Sequence, residues 1–231
     1  MFKRIICSFL FVFSFLYASS DSNRTILVFD FGGVIGETDY HLSCKYTAQR
    51  LHISFIQAQD IVDAYKQAKE EKIIADAEFW RQYAAQANIT LPKDWEEQFI
   101  DIRRRSIRLF PEMLELVHTL KKQGIRMAML SNTIPQRAQV IRSLGAYDPF
   151  NPVALSYEIG VEKPDKQAFA VFLSLMPGVR AQDCIFIDDK EANIKVANEM
   201  GFDGIQFTSR EDLVRELIKR GISVVINTDK S

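Results

Sequence analysis

The residues of this chain best equipped for chemistry stand where apolar runs end. Asp30 closes "TILVFD" (25–30), Ser131 and Asn132 close "IRMAMLSN" (125–132), and Asp188 and Asp189 close "CIFIDD" (184–189). Lys163 stands just ahead of the stretch "PDKQAFAVFLSLM" (164–176). Two adjacent buried aspartates repel each other unless a cation joins them. A hard cation such as Mg2+ takes a few carboxylates and completes its octahedron with water and phosphate oxygens. A lysine and a hydroxyl beside such a centre suit a phosphate group.

The elements that must position these groups alternate in type. Apolar runs at 25–30, 125–132 and 184–189, with weaker ones at 153–157 and 204–207, read as strands. Between them lie helical patterns. "PEMLELVHTLKKQG" (111–124) has Pro111 near its start, Lys121 and Lys122 in its last turn and Gly124 beyond its end. Further helices are expected over 135–145, 164–176, 191–201 and 210–221, the last followed by "ISVVIN" (222–227). Alternation of this kind implies a parallel sheet with helices on both faces, and continuous apolar strands fit burial on both sides. In such open sheets ligands bind outside the carboxyl ends of the strands, which is where the acids fall.

The segment between the first two strands breaks the alternation. It is helical in pattern from about Ser43 to Arg108, far longer than one crossover helix requires. An inserted helical lid between about Tyr40 and Leu109 explains it. Its aromatics, Phe79, Trp80, Tyr83, Trp95 and Phe99, recur at roughly helical spacing and read as the lid's own core. The basic run "RRRSIR" (103–108) reads as a solvated helix face.

The 231 residues are 47% hydrophobic with a formal net charge of -1, which suits a globular domain and argues against a general nucleic-acid binder. The first twenty residues stand apart. Lys3 and Arg4 precede an apolar run from Ile5 to Leu16, and Ala18, Ser19 and Ser20 follow, the pattern of a cleaved secretory signal. The run is shorter than the ~18–20 apolar residues of a spanning helix. The expectation is export to a periplasmic or secreted location, with no stable membrane association after cleavage. Without residues 1–20 the chain has 27 cations against 30 acids, a charge of -3. Cys44 and Cys184 then remain, too few for a disulfide framework, and Cys184 reads as a buried free thiol.

Taken together, "FDFGGV", "LSNT", "EKPD" and "FIDDKEANI" resemble, in this order, the four motifs of the haloacid dehalogenase (HAD) superfamily, chiefly its Mg2+-dependent phosphatases. The resemblance runs from about Thr25 to Phe207. It implies an α/β fold: a parallel-sheet, Rossmann-like core over 21–39 and 110–231, with a helical cap over 40–109. It implies roles as well. Asp30 would be the nucleophile that forms an aspartyl-phosphate. Ser131 would bind the transferring phosphoryl group with Asn132 close by, and Lys163 would balance charge between phosphate and Asp30. Asp188 and Asp189 would hold Mg2+ with a carboxylate oxygen of Asp30 and the carbonyl of Gly32. Asn193 is expected to hold its loop. The substrate class implied is a small phosphorylated metabolite. The family's dehalogenases work without Mg2+, which would leave Asp188 and Asp189 little purpose.

One position departs from the pattern. Two residues past the nucleophile most family phosphatases carry an aspartate that protonates the leaving alcohol and later activates water; here that residue is Gly32. Three readings stay open. Another acid substitutes, such as Glu37, Asp39, a lid residue or the substrate. Or turnover is slow and confined to good leaving groups such as sugar 1-phosphates. Or the chain is a catalytically weak or inactive phosphate-ligand binding protein.

Overall fold

The computed structural model describes residues 25–70 and 76–224. The N-terminal segment 1–20 and the end of "ISVVIN" lie outside the described residues. A five-stranded parallel sheet forms the core: β1 (Ile26–Phe29), β4 (Arg126–Ser131), β5 (Val153–Leu155), β6 (Cys184–Asp188) and β7 (Asp203–Gln206), in the order β5-β4-β1-β6-β7. The most apolar strand is thus the central one. All four residues of β1 are buried, and they alternate between two cores as a strand's period of two requires. Leu27 and Phe29 face one cluster with Met113, Val117, Ile141 and Leu217. Ile26 and Val28 face the other, with Phe169, Phe172 and Ala197.

Those partners lie on flanking helices. α5 (Pro111–Lys122), α6 (Pro135–Ser143) and α10 (Arg210–Lys219) cover the first face; α8 (Lys166–Ser174) and α9 (Glu191–Glu199) cover the second. Pro111 starts α5 as the sequence predicts, where its missing N–H costs nothing. The helix expected from Pro164 instead starts at Lys166, because the Asp165 carboxylate caps it by accepting the Gln167 N–H at 2.8 Å. The weak strand expected over 153–157 ends at Leu155. Ser156 opens a short helix, α7 (Ser156–Ile159), and its hydroxyl bonds the Thr133 N–H at 3.0 Å and the Thr133 carbonyl at 3.1 Å.

Four helices fill the segment after β1: α1 (Tyr40–Leu51), α2 (Phe55–Glu70), α3 (Asp76–Ala87) and α4 (Trp95–Arg105). Trp80 is their hub, its ring centroid 4.8 Å from those of both Trp95 and Phe99, with Tyr65 and Phe79 packed around it. The segment was expected to be helical through Arg108. It instead joins the core by a two-stranded antiparallel stem of β2 (Gly36–Thr38) and β3 (Ile107–Leu109). Strands of three residues are too short to leave a periodic signal. Gly36 permits the stem's close approach, since a Cβ there would stand 2.6 Å from the Arg108 carbonyl oxygen. No helix of the described residues is long and apolar enough to cross a membrane.

Candidate active site

Strand register carries the acids to one edge. Phe29 pairs with Ile187, and the Asp30 N–H continues the ladder to the Ile187 carbonyl at 2.8 Å. Asp30 therefore stands beside Asp188, the last residue of β6. Ser131 ends β4 on the other side of β1 and is buried. One oxygen each from Asp30, Asp188 and Asp189 lies within 4.8 Å of the others.

Lys163 reaches this group from the loop before α8. Its ammonium lies 2.9 Å from Asp30 Oδ1 and 2.6 Å from Asp188 Oδ2, with 1% of the side chain exposed. The other Asp188 contacts are fixed as well. Asn193 Nδ2 lies 2.9 Å from both carboxylate oxygens, and the Lys190 N–H donates to Oδ1 at 2.9 Å. Asn193 thus holds the loop, as expected. The bonds of Asn132 run to the backbone of Lys163: its Nδ2 donates to the Lys163 carbonyl at 2.8 Å, and its Oδ1 accepts the Lys163 N–H at 2.9 Å. Its amide positions the lysine, a finer role than proximity to phosphate suggested.

Burial and crowding set the charges. Burial pushes the Asp188 carboxyl up, against the pull of Lys163, and nearby Asp30 adds to the rise. Asp189 is also raised, first by burial and then by Asp188 and Asp30. Burial alone would lower Lys163, but Asp30 and Asp188 outweigh it and raise the ammonium. The Lys163 ammonium therefore serves two of the three acids, Asp30 and Asp188. Asp189 Oδ1 is buried with no hydrogen-bond partner. An orphaned carboxylate oxygen facing two further carboxylates is a donor set that fits a hard divalent cation.

The two glycines after Asp30 serve different ends. Gly33 has φ +73°, and a Cβ there would lie 2.4 Å from Asp189 Oδ2, so glycine both makes the turn and lets the acid close in. Gly32 is not in the left-handed region and has room. Its nearest neighbours to an added Cβ are Arg137 Nη2 at 3.8 Å and Asp30 Oδ2 at 3.9 Å. The two acids considered as substitutes have other partners. Glu37 pairs with Arg108 across the stem, and Asp39 caps α1 by accepting the His41 N–H at 2.9 Å.

Arg137 is the site residue that sequence reasoning missed. Its guanidinium lies over the Phe31 ring, 5.8 Å from the centroid. It also lines a cleft between α4 and α6 with Thr38, Ile100, Arg103, Ile107 and Val140. Nothing in "IPQRAQ" distinguishes it from a solvated helix arginine; the space beside Gly32 was its only trace. In "RRRSIR", Arg104, Arg105 and Arg108 are exposed as expected, whereas Arg103 turns to bond the Tyr65 hydroxyl.

The parallel sheet, the acids at its strand ends and the helices inserted after β1 define a doubly covered α/β core with a helical insertion. The chain belongs to the haloacid dehalogenase-like hydrolases, whose family model matches residues 25–201. A D-ribitol-5-phosphate phosphatase of Bacteroides thetaiotaomicron is 26% identical over 87% of this chain and 98% of its own. A ribulose-1,5-bisphosphate 5-phosphatase of Halopiger xanaduensis is 34% identical over 45% of this chain and 44% of its own. A flavin mononucleotide hydrolase of Arabidopsis thaliana is 37% identical over 29% of this chain and 27% of its own, so with several relatives the match spans less than half of their length. Among solved structures, a B. thetaiotaomicron HAD enzyme complexed with magnesium and inorganic phosphate aligns at TM-score 0.65 and 21% identity, over 83% of this chain and 98% of its own. At that identity the likeness shows the shared fold.

Proposed function

We propose that this protein is an exported, Mg2+-dependent phosphatase of small phosphorylated metabolites that works through an aspartyl-phosphate. The observation that carries the proposal is the cluster of Asp30, Asp188 and Asp189 around the buried Lys163 ammonium, at the carboxyl ends of parallel strands. Relatives that act as phosphatases on sugar and polyol phosphates support the substrate class. The charge pattern of residues 1–20 supports export, and mass spectrometry of the native protein should find a start near Asp21.

In this reading Asp30 attacks phosphorus, Ser131 donates to a phosphoryl oxygen, and Lys163 neutralises charge between phosphate and nucleophile. Asn132 holds Lys163 in place and Asn193 holds Asp188. Asp30, Asp188, Asp189 and the Gly32 carbonyl would hold Mg2+, which when bound offsets the negative charge that otherwise repels a carboxylate from a phosphate. A second reading, phosphate-ligand binding with little turnover, is favoured by the missing side chain at Gly32. Purified mature protein screened against phosphorylated metabolites with and without Mg2+ separates the two. Release of phosphate that stops with chelator is the expected result. Tight phosphate binding with no release would establish the second reading.

A further inference from the structure

Resting on that phosphatase reading, we infer that Arg137 acts on the departing oxygen in place of the absent acid, as a hydrogen-bond donor that stabilises it as an anion. Three observations point there. First, the guanidinium borders the side-chain space that Gly32 leaves open, its Nη2 3.8 Å from where a Cβ would stand, with Asp30 Oδ2 3.9 Å from the same point. Second, the buried Nε of Arg137 has no hydrogen-bond partner, and its guanidinium lies against the Phe31 ring. A cation beside a carboxylate cluster with an uncommitted donor has capacity for an incoming anion. Third, the same side chain lines the cleft between α4 and α6, together with the apolar Ile100, Ile107 and Val140 and the polar Thr38, Arg103 and Gln136. In-line attack places the leaving oxygen on the far side of phosphorus from Asp30, and Arg137 is the cleft residue that also stands beside Gly32, two positions from the nucleophile.

The chemistry balances without a titrating group. The bond from an Asp30 oxygen to phosphorus forms as the bond from phosphorus to the alcohol oxygen breaks. The electron pair leaves on the alcohol oxygen, which accepts hydrogen bonds from Arg137 and takes its proton from water. A guanidinium donates hydrogen bonds without giving up its proton. It therefore helps departure but cannot act as a base toward the water that later attacks the aspartyl-phosphate. The first half of the reaction is assisted and the second is not.

The test is kcat/KM, which reports the first half, across phosphate monoesters from p-nitrophenyl phosphate to simple alkyl phosphates, for wild type, Arg137→Ala and Arg137→Met. Methionine keeps apolar cover on Phe31 should alanine fail to fold; melting and Mg2+ binding serve as controls. Losing one donor to a developing oxyanion typically costs on the order of 10²–10³ in rate. The expected loss is of that size for alkyl phosphates, with less than about a tenfold loss for p-nitrophenyl phosphate, whose oxygen needs little help. An equal loss across the series, or none, overturns the inference while leaving the phosphatase reading intact. So does a loss confined to KM for esters bearing a second anionic group, which would make Arg137 a reader of that group. Wild-type protein that releases no phosphate from any ester, with Mg2+ present, overturns both.

Discussion

The two sides of the crevice are built on opposite plans. On the carboxylate side Asp188 and Lys163 are tied down: Asp188 is bonded by Asn193, Lys190 and Lys163, and Lys163 is held at its backbone by Asn132. On the side facing the inserted helices, Gly32 has no side chain and Arg137 lies against the Phe31 ring with its Nε unpartnered among the described residues. A crowded set of like charges needs rigid neighbours, because each unpartnered acid in a buried place is costly. A leaving group must enter and depart, so its side can be open. Under the proposed phosphatase reading, binding the phosphoryl group and helping the alcohol leave are separable in this site, and only the first relies on titrating groups.

The comparison can be broken most forcefully at Asp30. Asp30→Asn should abolish turnover, a loss on the order of 10⁴ or more for a nucleophile, with the melting temperature preserved. Retained turnover would remove the aspartyl-phosphate and with it the distinction between two half-reactions. Next comes Gly33. Gly33→Ala forces a side chain into the left-handed region, at about 1–2 kcal/mol, and displaces the Asp189 carboxylate. Mg2+ affinity measured by calorimetry should fall together with melting temperature. Gly32→Ala, where there is room, should change neither.

Asn193→Leu sharpens the ordered side of the comparison. Loss of an outer-shell partner typically costs about 10–100-fold in metal affinity, and a titration with Mg2+ should find a loss in that range. A smaller effect comes from Gly32→Asp. Its carboxylate would meet the Arg137 guanidinium, which favours the charged form and blunts its use as an acid. The gain on alkyl phosphates should stay below about tenfold, against the 10²–10⁴ of a free general acid, and should grow when Arg137→Ala accompanies it. Smallest of all is Glu37→Gln. Its exposed pair with Arg108 is worth about 0–1 kcal/mol, so melting should barely move and kcat should hold. A large drop in kcat would make Glu37 the missing acid.

The thiols show the same division between local and spatial information. Cys44 and Cys184 are free and buried, as the apolar setting of Cys184 suggested. Burial pushes the Cys184 thiol up to about 12, so little reactive thiolate exists at neutral pH.

By itself the sequence determined the α/β alternation, the helical insertion and the acids Asp30, Asp188 and Asp189, because each is a local pattern: an apolar run, a period, a polar residue at a run's end. It also singled out Lys163, Ser131 and the open position at Gly32. Tertiary structure alone decided what lies across space. The stem of β2 and β3 pairs residues some seventy positions apart, as Glu37 with Arg108. Asn132 and Lys163 are neighbours only because the loops after β4 and α7 meet at one edge. Gly33 owes its identity to Asp189, and the space beside Gly32 is bordered by an arginine from α6. Periodicity reports which face of an element is buried; it carries no information about which distant side chain will fill a gap, since that depends on how separate elements pack.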